Sequence, residues 1–251
     1  MRLPRLAIAL SLALGGLARN SAAQDATKPP PATEFIGDVS FVNVSGNTSI
    51  TTLNVGERYI RRMARWEFRQ AFGVVYGKTE GTETSNLLLA SLRADRVLGA
   101  RWAAYALTAF ERNKFAGINS RFAEGVGAVY KVIATDIDQI NLEAGFQVTQ
   151  QRNLDGTNNN FNSLRGATSL KHAFGRGAYF FQSAEILPNL EDSKDLLVNS
   201  ETAVVAPLSS RIGMKFSYLV RFDNLPALNA TGTAPLRKTD SILSSGIQIS
   251  F

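Results

Sequence analysis

The sequence predicts an all-β protein, an up-and-down antiparallel transmembrane β-barrel of about twelve strands. Three observations lead there. Apolar and polar residues alternate with period two through most of the chain, the alternating runs are long, and the connections between them are short and long in turn. Successive side chains of a strand point to opposite sides, so alternation marks a strand with two unlike faces. A bilayer crossing takes about 9 to 11 tilted strand residues. Short turns at one end and longer loops at the other belong to a membrane meander.

The chain begins MRLPRLAIALSLALGGLARNSAAQ, with Arg2 and Arg5, an apolar run from Leu6 to Leu17, and Ser21-Ala22-Ala23 in a small-x-small arrangement. This predicts a signal peptide over residues 1–23, cleaved near Ala23 on export through the periplasm. The run is far below the roughly 20 residues of a spanning helix. Residues 24–33, QDATKPPPAT, read as a Pro-rich leader, and the barrel is expected over 34–251.

Strands are expected near 35–45, 48–62, 65–77, 86–98, 101–114, 119–133, 139–152, 162–173, 178–189, 195–206, 211–223 and 239–251. In RWEFRQAFGVVYG, Trp66, Phe68, Phe72, Val74 and Tyr76 share one face and Glu67, Arg69, Ala71, Gly73 and Gly77 the other. RIGMKFSYLVRFDN follows the same rule, broken only at Leu219. The short connections are MAR, GAR, ATDID, GRG and LSS, and the longer polar ones are KTEGTETS, NLDGTNNNF, LEDSKD and PALNATGTAPLRK.

Composition narrows the class. Lys and Arg number 27 against 21 Asp and Glu, a net +6 that falls to +3 once Arg2, Arg5 and Arg19 leave with the signal. No basic block stands out, so nucleic acid is not a partner to expect. There is no cysteine, so stability rests on a hydrogen-bonded framework and not on disulfides.

Alternation alone does not say which face looks inward. Eight strands already leave an interior that side chains just fill, so twelve enclose more space than the apolar residues here can pack, and a polar, wet interior is expected. Trp66 and Tyr76 stand ten residues apart on one face, roughly 25 Å along the axis, the height of an apolar band with a ring at each interface. A Lys or Arg facing lipid at mid-depth costs about 2–4 kcal/mol, so Arg69 and Lys215 belong inside.

The same logic explains the ending SGIQISF. An open sheet edge is forbidden in hydrocarbon, so the last strand must close against the first, presenting Leu243, Ile247, Ile249 and Phe251 to lipid. With an even strand count both termini lie on the periplasmic side. A terminal Phe on such a strand resembles bacterial outer-membrane proteins, which implies recognition by the barrel-assembly machinery. Membrane lipid and lipopolysaccharide are the other partners to expect, and a monomer is the expected state.

The stretches VSGNTSITTLNVG, RWEFRQAFGVVYG, FERNKFAGINSRFAEGVGAVYK, LEDSKDLLVNSETAVVAPLSSRIGMKFSYLVRFDN and KTDSILSSGIQISF resemble an uncharacterised bacterial family labelled salt-induced outer membrane protein. The resemblance runs from about Val39 to Phe251. It implies an outer-membrane barrel of a Gram-negative envelope linked to salt or osmotic conditions, and it carries no catalytic motif.

Candidate bore-lining charges are Glu67, Arg69, Arg93, Glu143, Glu185, Glu201, Lys215 and Arg221, with Arg58, Arg165 and Lys171 beside them. They read equally as a ladder setting ion preference and as ion pairs that stabilise a wet interior. Trp66, Tyr76 and Phe251 are the candidate lipid-interface aromatics. The one histidine, His172, stands three residues from Ser169, on the opposite face of a strand, so the two cannot act as base and nucleophile from one segment. LEDSKD and NLDGTNN lack the ligand spacing of a calcium loop. The expectation is a non-enzymatic small pore or envelope protein without cofactor or metal. A lipid-acting barrel enzyme and a closed structural barrel are the alternatives.

Overall fold

A computed structural model describes residues 31–44, 50–175, 177–229 and 231–251. The signal peptide and most of the leader lie outside the described residues.

Twelve strands follow one another: β1 (Thr33–Val44), β2 (Ile50–Met63), β3 (Trp66–Thr79), β4 (Thr82–Val97), β5 (Trp102–Asn113) and β6 (Ile118–Ala134) form the first half. β7 (Asp138–Asn153), β8 (Asn158–Gly175), β9 (Ala178–Pro188), β10 (Leu196–Pro207), β11 (Ile212–Asp223) and β12 (Thr239–Ser250) form the second. Each pairs antiparallel with its sequence neighbours, and β12 pairs with β1 to close the barrel. The closing seam is short: Ile36 to Val39 face Ser250 to Ile247, and Phe251 and Phe35 exchange backbone bonds at 2.9 and 3.0 Å beyond it. Closure joins the first and last strands through these pairs, as a bilayer, which tolerates no open sheet, requires.

The apolar faces point outward. Phe68, Phe72, Leu92, Val126, Leu142, Phe216 and Leu243 are exposed, and Trp66 and Phe251 keep 42% and 65% of their surface. A soluble barrel would bury these; a membrane-spanning one presents them to lipid. Rings gather at the end with the short turns, where Trp66 stacks on Phe68 at 5.9 Å and Trp102 meets Tyr130 at 4.8 Å. Arg96 and Arg211 lie over the rings of Trp66 and Phe251 there. At the other end Lys78 stands over Tyr76 and Phe110 packs on Phe122. Amphipathic rings and snorkelling cations at two levels are what an apolar band between two wet layers selects.

Two expected loops are shorter than the sequence suggested. KTEGTETS was expected as a loop, but β3 and β4 continue through it to a two-residue turn, Glu80-Gly81, with φ of 51° and 76°. Both centres in the left-handed region make the mirror-image turn whose twist matches a hairpin, and the β-branched threonines on either side extend the ladder. NLDGTNNNF likewise contracts to four residues as β8 starts at Asn158, and Thr33, expected in the leader, opens β1. Replacing Gly81 by Ala places a Cβ in the left-handed region. The expected cost is about 1 kcal/mol in urea-unfolding free energy, with the barrel still closed.

Candidate functional site

Inside the barrel, backbone alternation aims one row of side chains from every strand at a common axis. Across β3, β4 and β5 the inward row reads Glu67, Asp95, Tyr105, and the row beside it Arg69, Arg93, Leu107. Glu67, Arg69, Arg93, Glu143, Glu185, Glu201, Lys215 and Arg221 all stand on inward rows, and so do Arg58, Arg165 and Lys171.

At mid-height Glu143 of β7 is held by two guanidinium groups. Arg165 Nη1 of β8 donates at 2.6 Å and Arg93 Nη1 of β4 at 2.8 Å, and these three side chains keep only 13%, 9% and 11% of their surface. Arg93 is also gripped by Asp95 at 2.8 Å and Arg165 by Glu185 at 2.6 Å. Tyr105 lies beside both cations: its ring centroid is 4.3 Å from Arg93 Cζ and 5.3 Å from Arg165 Cζ, and its hydroxyl accepts from Arg165 Nη1 at 3.0 Å. The ring fits because β6 and β7 carry glycine where it lies, at Gly127 and Gly145.

Nearer the loop end a second layer crosses the bore. Arg221 of β11 donates to both carboxylate oxygens of Glu111 of β5, the Nη2 to Oε2 bond measuring 2.7 Å. In a ring of twelve strands β5 and β11 stand six apart, on opposite sides. Arg121 of β6 joins from the side, 3.1 Å from Glu111 and 4.0 Å from Asp223. A third group, Lys215 between Asp38 at 3.0 Å and Glu201 at 3.6 Å, fills the space by the seam. At the short-turn end Arg62 ties Glu34 to Glu67, and Glu67 reaches Arg69.

The loop from Asn224 to Lys238 closes over this layer. It springs from β11 and β12 yet packs on the turn between β5 and β6, where a side chain at Gly117 would stand 2.9 Å from both Ala227 Cβ and Leu236 Cδ1. Leu228 bridges Pro235 to hold the loop in a narrow shape. The bore is thus crossed by charge pairs and roofed by chain.

Sequence reasoning missed Glu111, Arg121, Asp95 and Asp38. β5 hides its acid because the inward residues leading up to it, Ala103, Tyr105, Leu107 and Ala109, are small or apolar, so polarity does not flag that face as inner. The bore is also less uniformly polar than expected. Ala103, Tyr105 and Val129 form one buried cluster, and Phe161, Leu187 and Leu197 another near the loops. Long ionised side chains bridging the axis take up enough space that small apolar groups can pack against the wall beside them.

His172 lies on the outer face near the short-turn end, its Nδ1 2.7 Å from Asp138 and its ring against Phe174 at 4.8 Å. Ser169 faces inward and accepts from Asn141 Nδ2 at 3.2 Å. Wall and backbone separate the two.

A closed strand cylinder with an apolar exterior and an ionised interior is a membrane-spanning β-barrel. The chain belongs to the family described as a protein of unknown function, DUF481, whose pattern matches residues 37–251. No curated protein sequence matches it significantly. Among solved structures it is similar to the NanC porin, at 9% identity over 86% of this chain and 97% of that one, with a TM-score of 0.49. It is also similar to a bacterial polysaccharide outer membrane secretin, at 7% identity, 87% and 97% coverage and a TM-score of 0.45. A third likeness is to the translocator domain of the autotransporter NalP from Neisseria meningitidis, at 11% identity, 88% coverage of each chain and a TM-score of 0.45.

Proposed function

We propose that the chain is a non-enzymatic barrel of the bacterial outer membrane whose bore is a small pore held shut by ion pairs. One observation carries the reading: Glu111 and Arg221 bond to each other from opposite sides of the ring. A structural barrel needs no such bond to stand, because its backbone ladder is already closed. Charges meeting on the axis narrow the passage where they meet, and parting them would open a charged constriction of the kind that selects ions.

The rest of the proposal follows from the wall. Export with removal of residues 1–23, recognition of β12 and its terminal Phe251 by the assembly machinery, contact with lipid and lipopolysaccharide, and a monomeric state all fit an apolar cylinder with its termini on the periplasmic side. A salt link fits too: the screening length falls from about 10 Å at 0.1 M to about 3 Å at 1 M, which weakens the pairs nearest the mouth first. Catalysis has no place in the proposal, since Ser169 and His172 stand on opposite sides of the wall.

Purified protein in planar bilayers tests it. The wild type is expected to conduct in rare, small steps, and the double variant Glu111→Ala with Arg221→Ala several-fold more. A wild-type trace of large, steady openings that the double variant leaves unchanged would overturn the reading. So would a double variant as silent as the wild type at every salt concentration.

A further inference from the structure

The outer wall is not apolar throughout. At mid-depth it carries Glu57 on β2, Gln70 on β3, Thr108 on β5 and Glu124 on β6, on the face that exposes Phe72, Leu92 and Val126. Glu124 stands six residues along β6 from Tyr130 of the short-turn girdle. At about 3.3 Å per residue and a tilt near 40° that is roughly 15 Å up a band about 25 Å tall. A carboxylate there has no water around it and is costly unless a partner meets it; an ionisable group at membrane depth marks a site by default. The wall supplies a partner for one of its two acids, since Gln70 Nε2 donates to Glu57 Oε1 at 3.0 Å. Among the described residues no hydrogen bond or ion pair reaches the carboxylate of Glu124 or the hydroxyl of Thr108, its direct cross-strand neighbour.

Glu124 borders a groove of about 740 Å³ in the same wall. The cross-strand row beneath Glu124 explains the groove: Phe68 pairs with Ala94, Ala94 with Ala106, Ala106 with Val126 and Val126 with Phe146. Two alanines between larger side chains leave a trough. Its volume lies within the roughly 300–1,000 Å³ of small-molecule sites, and an apolar lining with a few polar groups is their composition as well.

We infer that this groove binds a lipophilic amine from the bilayer, one unbranched alkyl chain lying over Ala94 and Ala106 with its protonated amino end on Glu124 and Thr108. Charge complementarity selects the amine. Arg69 and Arg93 also border the groove, but their side chains point into the bore and are paired with acids there, so the side chains presented to lipid contain an acid and no base. A second copy would bring the same acid and no counter-ion. Shape points the same way: two convex walls meet along a line and leave a trough empty, whereas a slender chain fills it. The inference needs the wall to face lipid, but it does not depend on conduction through the bore.

Protein in phosphatidylcholine nanodiscs, titrated with radiolabelled dodecylamine and separately with dodecanol, gives the test. Dodecylamine is expected to bind saturably, and Glu124→Gln to weaken it about tenfold or more, the effect of losing a charged hydrogen-bond partner, while leaving dodecanol unaffected. Ala106→Leu, which fills the trough with another lipid-facing apolar group, is expected to abolish both. Migration on unboiled gels confirms that each variant is a closed barrel. Dodecylamine binding that survives Glu124→Gln or Ala106→Leu undiminished would overturn the inference. So would the absence of saturable dodecylamine binding by the wild type; cross-linking of Ala106→Cys to a second copy would then make the trough a subunit contact.

Discussion

Glu143→Ala is expected to lower the unfolding free energy by about 3 kcal/mol, the low end of the range for breaking a buried ion pair. The carboxylate sits between Arg93 and Arg165, and removing it leaves two guanidinium groups facing each other in a space that side chains have closed to solvent. The loss is not larger because each cation keeps a second acid, Asp95 for Arg93 and Glu185 for Arg165. Glu143→Gln retains an acceptor without the charge, so it should cost about 1–2 kcal/mol. Replacing Arg93 and Arg165 by Met as well should not recover the loss, because it strands Asp95 and Glu185, the second acids of the two cations. Urea unfolding in lipid vesicles, followed by Trp fluorescence, measures all three. A Glu143→Ala barrel within 0.5 kcal/mol of the wild type, the scatter of surface substitutions, would mean that water solvates these groups and that the bore is open at mid-height.

How much of this was legible beforehand differs between wall and bore. The wall is written in local pattern: each strand alternates, each is long, and a one-residue slip would turn every side chain to the wrong side, so twelve strands and their outward faces follow from sequence alone. Leu219 shows the limit of such reading. It looked like a break in β11, yet it is an inward residue paired with Glu201 and Ile242 across its neighbours. Partners across the bore are not legible, because nothing local relates Glu111 to Arg221, 110 residues away. Their meeting depends on barrel shear and on which residues share a height, quantities fixed only when the ring closes. The loop ends were misread for a different reason. Composition marked KTEGTETS as polar, but strands standing clear of the membrane are polar as well, and only the left-handed geometry at Glu80 and Gly81 locates the turn.

Gly127→Val is expected to have the larger effect, a loss above about 3 kcal/mol or failure to reach the closed state. The reason is the path of one ring. Tyr105 leaves β5 and lies flat over β6 toward β7, which lets its hydroxyl reach Arg165 and places Arg93 over its face. A Cβ at Gly127 would stand 2.7 Å from Tyr105 Cε1 and from Gly145 Cα, and closer still to the carbonyl of Ala144. Backbone on one side and a 3%-exposed ring on the other leave no room to give. Removing the ring should therefore restore only part of the loss, since Tyr105→Ala with Gly127→Ala still sets a methyl group against the Ala144 carbonyl. Gly99→Ala is the matched control, because nothing lies within 4 Å of its added Cβ; it should fold as the wild type does. The folded fraction on unboiled gels and the urea midpoint report both variants. If Gly127→Val folded with wild-type stability, the Tyr105 ring would have to lie elsewhere, and the packed layer of Tyr105, Arg93, Glu143 and Arg165 would go with it.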